Sequence, residues 1–204
     1  DDCAMGRYQD STGQVECKYC LAGLYLDTTA AVSAAQCIQC VAGKYSELLG
    51  RDSTSDCIDC VAGKYSILLG RSEATDCINC VAGKYASSTG NDATADCIDC
   101  VAGKWLATTG NTAVTDCVDC VAGKFSITAA AAVEAQCSDC GRGKWSDVLG
   151  SPLAADCVEC AAGKYLDVEG SSTMDSCQNC PAGTWVSSSG NTEITHCARC
   201  EVGK

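Results

Sequence analysis

The sequence has few of the side chains on which a large hydrophobic core or a catalytic site depends. Leu, Ile, Val and Phe together account for 34 of the 204 residues, fewer than the roughly one fifth that a conventional globular core requires. Only one histidine is present, His196, so catalysis or metal binding based on several imidazoles is excluded. A compact enzyme fold is therefore not expected, and we predict that the chain is not an enzyme.

Positive charge and long apolar runs are also scarce. The chain has 14 basic and 26 acidic residues, a net charge of −12, and no basic cluster. Nucleic acids and anionic membranes need basic residues that neutralise phosphates, so neither is an expected partner. No apolar run approaches the ~18–20 residues of a membrane span. No Asn-x-Ser/Thr sequon occurs, which argues against N-linked glycans.

Cysteine, by contrast, is abundant. The 21 cysteines make up about one residue in ten, a fraction typical of a disulfide scaffold. Twenty of them form ten Cys-x-x-Cys pairs, from Cys17 and Cys20 to Cys197 and Cys200, with an unbroken period of 20 residues. A period of this length indicates a repeat architecture.

Other residues keep the same register and predict a β-hairpin in each unit. A glycine after the second cysteine permits a tight turn, and a Lys-aromatic-Ser segment with β character follows it. A second glycine then marks a reversal, and a short strand returns to the next cysteine. Only the Ala-rich stretch Thr128–Ala135 has helical character. The recurring aromatic residues are Tyr25, Tyr45, Tyr65, Tyr85, Trp105, Phe125, Trp145, Tyr165 and Trp185.

An isolated two-stranded hairpin has only marginal stability, so each unit requires a disulfide and stacking on its neighbours. We predict a fold of small disulfide-rich β repeats. They form an elongated, solenoid-like rod of 20-residue hairpin units with no central hydrophobic core. Residues 1–204 are expected to be one continuous array, in which 1–17 are a truncated first repeat, 18–197 nine repeats and 198–204 the start of another. On this interpretation the chain is an excerpt of a longer array, and a leader was either removed or lies outside it.

Cys3 indicates how the cysteines pair. The segment that begins at Cys3 matches the one that begins at Cys20 position for position, so Cys3 corresponds to the second cysteine of a pair. The simplest scheme joins the second cysteine of each pair to the first cysteine of the next pair and leaves Cys200 unpaired. Each bridge would then stabilise the folded state by ~3 kcal/mol, because closing the loop lowers the entropy of the unfolded chain. The predicted disulfides are Cys3–Cys17, Cys20–Cys37, Cys40–Cys57, Cys60–Cys77, Cys80–Cys97, Cys100–Cys117, Cys120–Cys137, Cys140–Cys157, Cys160–Cys177 and Cys180–Cys197.

Three other interpretations of the cysteines stay open. An interlocked scheme, first to third and second to fourth, would impose a 40-residue period, but odd and even units show no consistent alternation. The spacing Cys-x2-Cys-x16-Cys-x2-Cys also fits four-cysteine zinc sites. Zinc would, however, leave Cys3 without a role and add negative charge. Redox-active Cys-x-x-Cys motifs are the third interpretation, although ten periodic copies favour a structural role. We therefore predict no cofactor and no metal.

The repeats resemble the ephrin-receptor-like cysteine-rich repeat, which is related to the cysteine-rich modules of tumour-necrosis-factor receptors. The signature is Cys-x-x-Cys-Pro-Ala-Gly-x-aromatic, and Cys177–Trp185 matches it most literally. Most other units have valine in place of the proline, as at Val61. The resemblance covers the whole chain and implies small β modules, a disulfide ladder and an extracellular location, as in large surface proteins of algae and other protists. It carries over no catalytic residue.

The remaining periodic side chains have structural and functional interpretations. The aromatic row either packs against the adjacent disulfide, which we favour, or forms a ligand-stacking surface. The Asp before the first cysteine, with Asp59, Asp99, Asp119 and Asp139, serves turn capping or solvation in preference to a calcium ladder, because no unit has dense carboxylate spacing. The lysine row offsets these acidic rows. The candidate O-glycan sites are Ser87, Ser88, Thr89, Ser187, Ser188 and Ser189.

A five-unit superrepeat overlies the 20-residue period. Ser87–Thr89 and Ser187–Ser189 lie 100 residues apart, and Gly-Asn follows both. The units Ala22–Gln36 and Ala122–Gln136, which lack the second glycine and end in Gln-Cys, are also 100 residues apart. Every fifth unit would then present an equivalent face, which self-association can exploit.

Two functions are compatible with these features. The first is a structural extracellular protein that forms or stiffens a filament, an appendage or a surface coat, with copies of itself or a related fibre protein as partners. The second is the stalk or ligand-binding ectodomain of a cell-surface receptor or adhesin. Regular lateral contacts in every superrepeat would favour the fibre, and isolated chains with a distinct terminal domain would favour the stalk.

Overall fold

The computed structural model describes residues 2–201, and these residues form ten consecutive disulfide-bonded β-hairpins, as the sequence predicts. Every strand has two residues and pairs antiparallel with its neighbour in the chain, β1 with β2, β3 with β4 and so on. The strands are β1 Arg7–Tyr8, β2 Lys18–Tyr19, β3 Leu24–Tyr25, β4 Ile38–Gln39, β5 Lys44–Tyr45, β6 Ile58–Asp59, β7 Lys64–Tyr65, β8 Ile78–Asn79, β9 Lys84–Tyr85, β10 Ile98–Asp99, β11 Lys104–Trp105, β12 Val118–Asp119, β13 Lys124–Phe125, β14 Ser138–Asp139, β15 Lys144–Trp145, β16 Val158–Glu159, β17 Lys164–Tyr165, β18 Gln178–Asn179, β19 Thr184–Trp185 and β20 Ala198–Arg199.

The hairpin of the third repeat shows how the sequence produces this shape. Gly43 has φ +79°, in the left-handed region that a side chain disfavours, and it turns the chain into β5. Gly50, with φ +66°, reverses the chain again at the tip of the loop. The return strand β6 then pairs in a register that places Lys44 opposite Asp59 and Tyr45 opposite Ile58.

A single turn of 3-10 helix precedes the first cysteine of each pair from the second repeat onward. It leads directly into the return strand of the hairpin. These turns are Ala34–Gln36, Thr54–Asp56, Ala74–Asp76, Thr94–Asp96, Val114–Asp116, Glu134–Gln136, Ala154–Asp156, Met174–Ser176 and Ile194–His196. They are the only helices in residues 2–201, and none has the length or apolarity to cross a bilayer.

The helical character expected for Thr128–Ala135 is wrong. The structure has only the three-residue turn Glu134–Gln136 there, as in every other repeat. Ala130 adopts φ +55°, which an α-helix cannot contain. The high alanine content is overridden because the chain must reverse at this position, where most repeats carry a glycine.

Two compact units make up the described chain. The first runs to Ile98 and includes Thr109–Ala113, and the second comprises Asp99–Thr108 and continues from Val114. Both are built from the same hairpins stacked in the same way. In the first unit, Tyr45 forms a parallel bridge to Arg71 of the next repeat, and in the second Phe125 forms one to Ser151.

The buried apolar residues form small clusters, each within one repeat and packed against the aromatic residue of the preceding repeat. One buried cluster consists of Cys20, Leu26 and Ala31, and another of Cys160, Leu166 and Cys177. The position that Leu26 occupies is also buried in other repeats, where it holds a serine, as at Ser46, or an alanine, as at Ala86. Small clusters of this kind replace the single core of a globular domain, in agreement with the scarcity of large apolar residues.

Candidate functional site

The ten disulfides are the most regular feature of the chain. Nine of them join cysteines 17 residues apart, and Cys3–Cys17 joins cysteines 14 residues apart. Cα–Cα distances are 5.6–5.8 Å, within the usual range for a disulfide. Cys200 is free and exposed. The bonds are Cys3–Cys17, Cys20–Cys37, Cys40–Cys57, Cys60–Cys77, Cys80–Cys97, Cys100–Cys117, Cys120–Cys137, Cys140–Cys157, Cys160–Cys177 and Cys180–Cys197.

Backbone hydrogen bonds join each loop to the next. The Gly63 N–H donates to the carbonyl of Ala86 at 2.8 Å, and the Gly90 N–H donates to the carbonyl of Cys60 at 2.8 Å. The Ser66 N–H also donates to the carbonyl of Asn91 at 3.1 Å. Neighbouring repeats within a unit are therefore joined by main-chain hydrogen bonds. These bonds require the turns of the repeat but no particular side chain.

The first glycine of the repeat also contacts the next repeat but one. A Cβ atom added to Gly63 would lie well inside 3.0 Å of the Gly110 carbonyl oxygen, closer than real Cβ atoms come. The same close approach occurs between Gly123 and Gly170 in the second unit. The glycine that the sequence identifies as a turn residue is thus also the point where two non-adjacent repeats meet.

The aromatic row packs on the disulfides, as the favoured interpretation states. Tyr65 packs on the cluster of Cys80, Ala86 and Cys97, which belongs to the next repeat. Trp145 packs in the same way on the bridge between Cys160 and Cys177. These two rings thereby pack one repeat against the disulfide cluster of the next.

The Asp before the first cysteine caps the 3-10 turn. In the fourth repeat, Asp76 Oδ2 accepts hydrogen bonds from the N–H groups of Ser72 and Glu73, both at 3.1 Å. Where the repeat ends in Gln-Cys, the amide oxygen does the same, and Gln36 Oε1 accepts from the N–H of Val32 at 2.7 Å and Ser33 at 3.1 Å. Both residue types satisfy amide groups at the start of the turn. The Asp row therefore has a structural role in turn capping.

We expect the cap at Asp76 to weaken in acid. Partial burial raises the pKa of Asp76, but the hydrogen bonds from Glu73 and Ser72 and the nearby Arg71 guanidinium outweigh it, and the net pKa lies below its ordinary value. The carboxylate therefore stabilises the fold above the ordinary pKa of aspartate, and this contribution is lost as the pH falls through the depressed value. NMR titration of the Asp76 carboxyl is expected to show that low midpoint.

The matched control for this titration is Asp76→Asn, which keeps the acceptor oxygen and removes the charge. The difference in stability between the native chain and this variant is expected to shrink as the pH is lowered. A difference that stays constant down to the acid limit would contradict the assigned cause.

Lysines pair with acidic residues across the hairpins. Lys44 Nζ lies 2.5 Å from Asp59 Oδ1, Lys104 Nζ lies 2.6 Å from Asp119, and Lys124 Nζ lies 2.7 Å from Asp139. These side chains are substantially exposed, so each pair contributes little to stability. The lysine row offsets part of the acidic charge along the hairpins.

The candidate O-glycan residues lie on exposed loop tips. Ser87, Ser88 and Thr89 are exposed, as are Ser187, Ser188 and Ser189. The Ser88 hydroxyl donates to Asn91 Oδ1 at 2.5 Å and that of Ser188 to Asn191 Oδ1 at 3.0 Å, while Ser189 donates to Glu159 Oε2 at 2.5 Å. Glycosylation of these residues stays a prediction. Within residues 2–201, no group of three or more His, Cys, Asp or Glu side chains is arranged to hold a metal ion.

The comparisons with known families agree with this geometry. A family model described as tyrosine-protein kinase ephrin type A/B receptor-like matches residues 1–37 and 151–197. The repeats between these two segments have the same disulfide spacing and the same hairpins. These two segments are similar to ephrin-receptor-like cysteine-rich repeats, and regularly spaced disulfide modules continue through the residues between them. No curated protein matches the chain. Its many disulfides and ephrin-receptor-like repeats are those of an extracellular-type array.

The fifth and the tenth repeat carry an additional side-chain clamp that the sequence analysis did not identify. Asn91 Nδ2 donates to the carbonyls of Lys64 at 3.0 Å and Ser88 at 2.8 Å, which joins the fourth repeat to the fifth. Asn191 donates to Lys164 at 3.4 Å and Ser188 at 2.6 Å in the same way. The available signal was the Ser-x-Gly-Asn sequence, which occurs at Ser88–Asn91 and again 100 residues later at Ser188–Asn191.

Proposed function

We propose that this chain is a structural extracellular protein that forms or stiffens a filament, an appendage or a surface coat. The observation that carries the proposal is the joint between repeats. Each repeat is closed by its own disulfide and is joined to the next repeat by main-chain hydrogen bonds, so covalent restraints within repeats and hydrogen bonds between them oppose bending together. Such a chain resists unfolding and proteolysis, because no loop is held by side-chain packing alone.

Exposed apolar side chains at the loop tips support assembly from copies of the chain. Leu48 and Leu49 in the third repeat and Leu68 and Leu69 in the fourth are 51–57% exposed, and we call them the tip patch. Single exposed apolar residues are common, but a set at equivalent positions in neighbouring repeats indicates a contact surface.

The tip patch has a counterpart one superrepeat further along. Val148, Leu149 and Val168 occupy equivalent loop positions and are 53–63% exposed. Polar tips separate the two sets, among them Ser87–Thr89 in the fifth repeat. Apolar contacts that recur every 100 residues are suited to lateral association between chains in a fixed register.

Sedimentation equilibrium of the oxidised chain, with electron microscopy of the same samples, tests this proposal. Leu48→Ser combined with Leu68→Ser is expected to weaken self-association by about tenfold or more, because each leucine loses part of the ~1.5–3 kcal/mol available from its burial. Val41→Ser with Val61→Ser is the matched control, since these valines lie in the same repeats and are 58% and 59% exposed. Equal effects of the two pairs would contradict a tip-to-tip contact.

The alternative function is a receptor or adhesin stalk. It is supported by the family description, which names a receptor. A chain that stays monomeric across the whole concentration range, with no ordered assemblies in the microscope, would favour the stalk over the fibre.

A further inference from the structure

The disulfide connectivity gives the chain a second covalent path that is much shorter than the backbone. Each bridge closes at its second cysteine, and the next bridge opens only three residues later, as from Cys57 to Cys60. A line of covalent bonds can therefore run from Cys3 to Cys197 through ten bridges and the nine Cys-x-x-Cys segments between them. The residues of the ten loops are not part of this covalent path.

The length of this path can be estimated from the structure. Each bridge spans a Cα–Cα distance of 5.6–5.8 Å, and each three-residue segment adds at most about 10–11 Å. The path from Cys3 to Cys197 is therefore limited to roughly 150 Å, against about 640–700 Å for the same residues without bridges.

The segments between bridges can be stretched only a little further. Ile38–Gln39 is β4, the extended strand that pairs with β3, and Cys37 before it is extended at φ −68° and ψ +124°. The equivalent residues of the next joint form β6, preceded by Cys57 at φ −80° and ψ +108°. These segments are already near their full length in the folded chain.

We propose that tension along the chain is carried by the ten bridges and the nine segments between them, so that the loops carry none. The chain is then a tether whose maximal length is set by disulfides and not by the stability of its fold. This inference deepens the proposed structural function, but it concerns a single chain and does not depend on assembly. It also separates two tasks within each repeat, since the segment between bridges carries force while the loop tip is left for contacts.

Single-molecule pulling on the oxidised chain, with handles fused to both ends and Cys200→Ser to prevent thiol exchange, tests this proposal. We expect no unfolding step, because every loop is already bypassed. A dithiol then reduces each bridge to two thiols and is itself oxidised to a cyclic disulfide. Each reduced bridge releases 17 residues of chain, which adds about 50–55 Å of length once the span of the bridge is subtracted.

Two variants make the pulling experiment specific. Cys60→Ala with Cys77→Ala removes one bridge and is expected to give one step of about 50–55 Å without any reductant. Gly63→Ala disturbs the packing of the same repeat but leaves the covalent path intact, so it is expected to give no such step. Steps of this size in the oxidised native chain would overturn the force path. Loss of self-association alone would not affect it.

Discussion

Replacing Gly63 with alanine is expected to lower the free energy of unfolding by about 2–5 kcal/mol. Gly63 has φ +80°, and a side chain in this left-handed conformation costs about 1–2 kcal/mol. The new methyl group would also meet the Gly110 carbonyl, a backbone atom that cannot rotate away. Overpacking of this kind adds about 1–3 kcal/mol. Denaturant unfolding with the disulfides intact, combined with hydrogen exchange, measures the loss.

Gly163→Ala is the matched control for this substitution. Its φ is +82°, but nothing lies within 4 Å of an added Cβ. It is therefore expected to show only the backbone cost of about 1–2 kcal/mol. Equal losses in the two variants would mean that the contact with the next repeat but one does not contribute to stability.

Removing one internal bridge is expected to have the second large effect. Cys60→Ala with Cys77→Ala releases a loop of 17-residue separation, which costs about 3 kcal/mol by chain entropy. The damage is expected to spread beyond the loop, because Cys60 accepts a hydrogen bond from Gly90 and Gly63 donates one to Ala86. Hydrogen exchange is expected to show lost protection in both the fourth and the fifth repeat.

A bridge in the last repeat provides the comparison. Cys180–Cys197 closes a loop of the same separation, so its removal by Cys180→Ala with Cys197→Ala costs the same loop entropy. Cys60 is fully buried, however, whereas Cys180 is only partly buried. The loss of protection is expected to stay local in this variant. If it stays equally local around Cys60, the repeats are coupled less than their hydrogen bonds imply.

The hairpin and its position in the repeat could be predicted from the sequence because both are local. Two glycines and an aromatic at fixed distances from the cysteines determine the turns, and the structure has its strands where these residues place them. The 3-10 turn before the first cysteine of a pair was not predicted, since three residues are too few to show a helical period. The capping by Asp56 or Gln36 was the only local sign of it.

The stacking of the repeats could not be predicted in the same way. A period shows that units are equivalent, but not which units touch or through which atoms. The contact of Gly63 with Gly110 depends on how far each hairpin is displaced from the last, which is a tertiary property. Serine is usually a surface residue, but Ser46 is 1% exposed, and its main-chain groups bond to Gly23 of the preceding repeat and Arg71 of the following one.

The contacts between repeats described above span one or two repeats and recur in the same way along each unit, which bears on how such a chain changes length over generations. Loss of residues 58–77 would connect Cys57 to Ile78 and leave Cys57-Ile78-Asn79-Cys80, an intact Cys-x-x-Cys pair. No remaining cysteine would lose its partner, since Cys60 and Cys77 leave together. Duplication or deletion in multiples of 20 residues thus lengthens or shortens the molecule by whole steps. The length of the molecule can therefore change by mutation while the fold of each repeat stays the same.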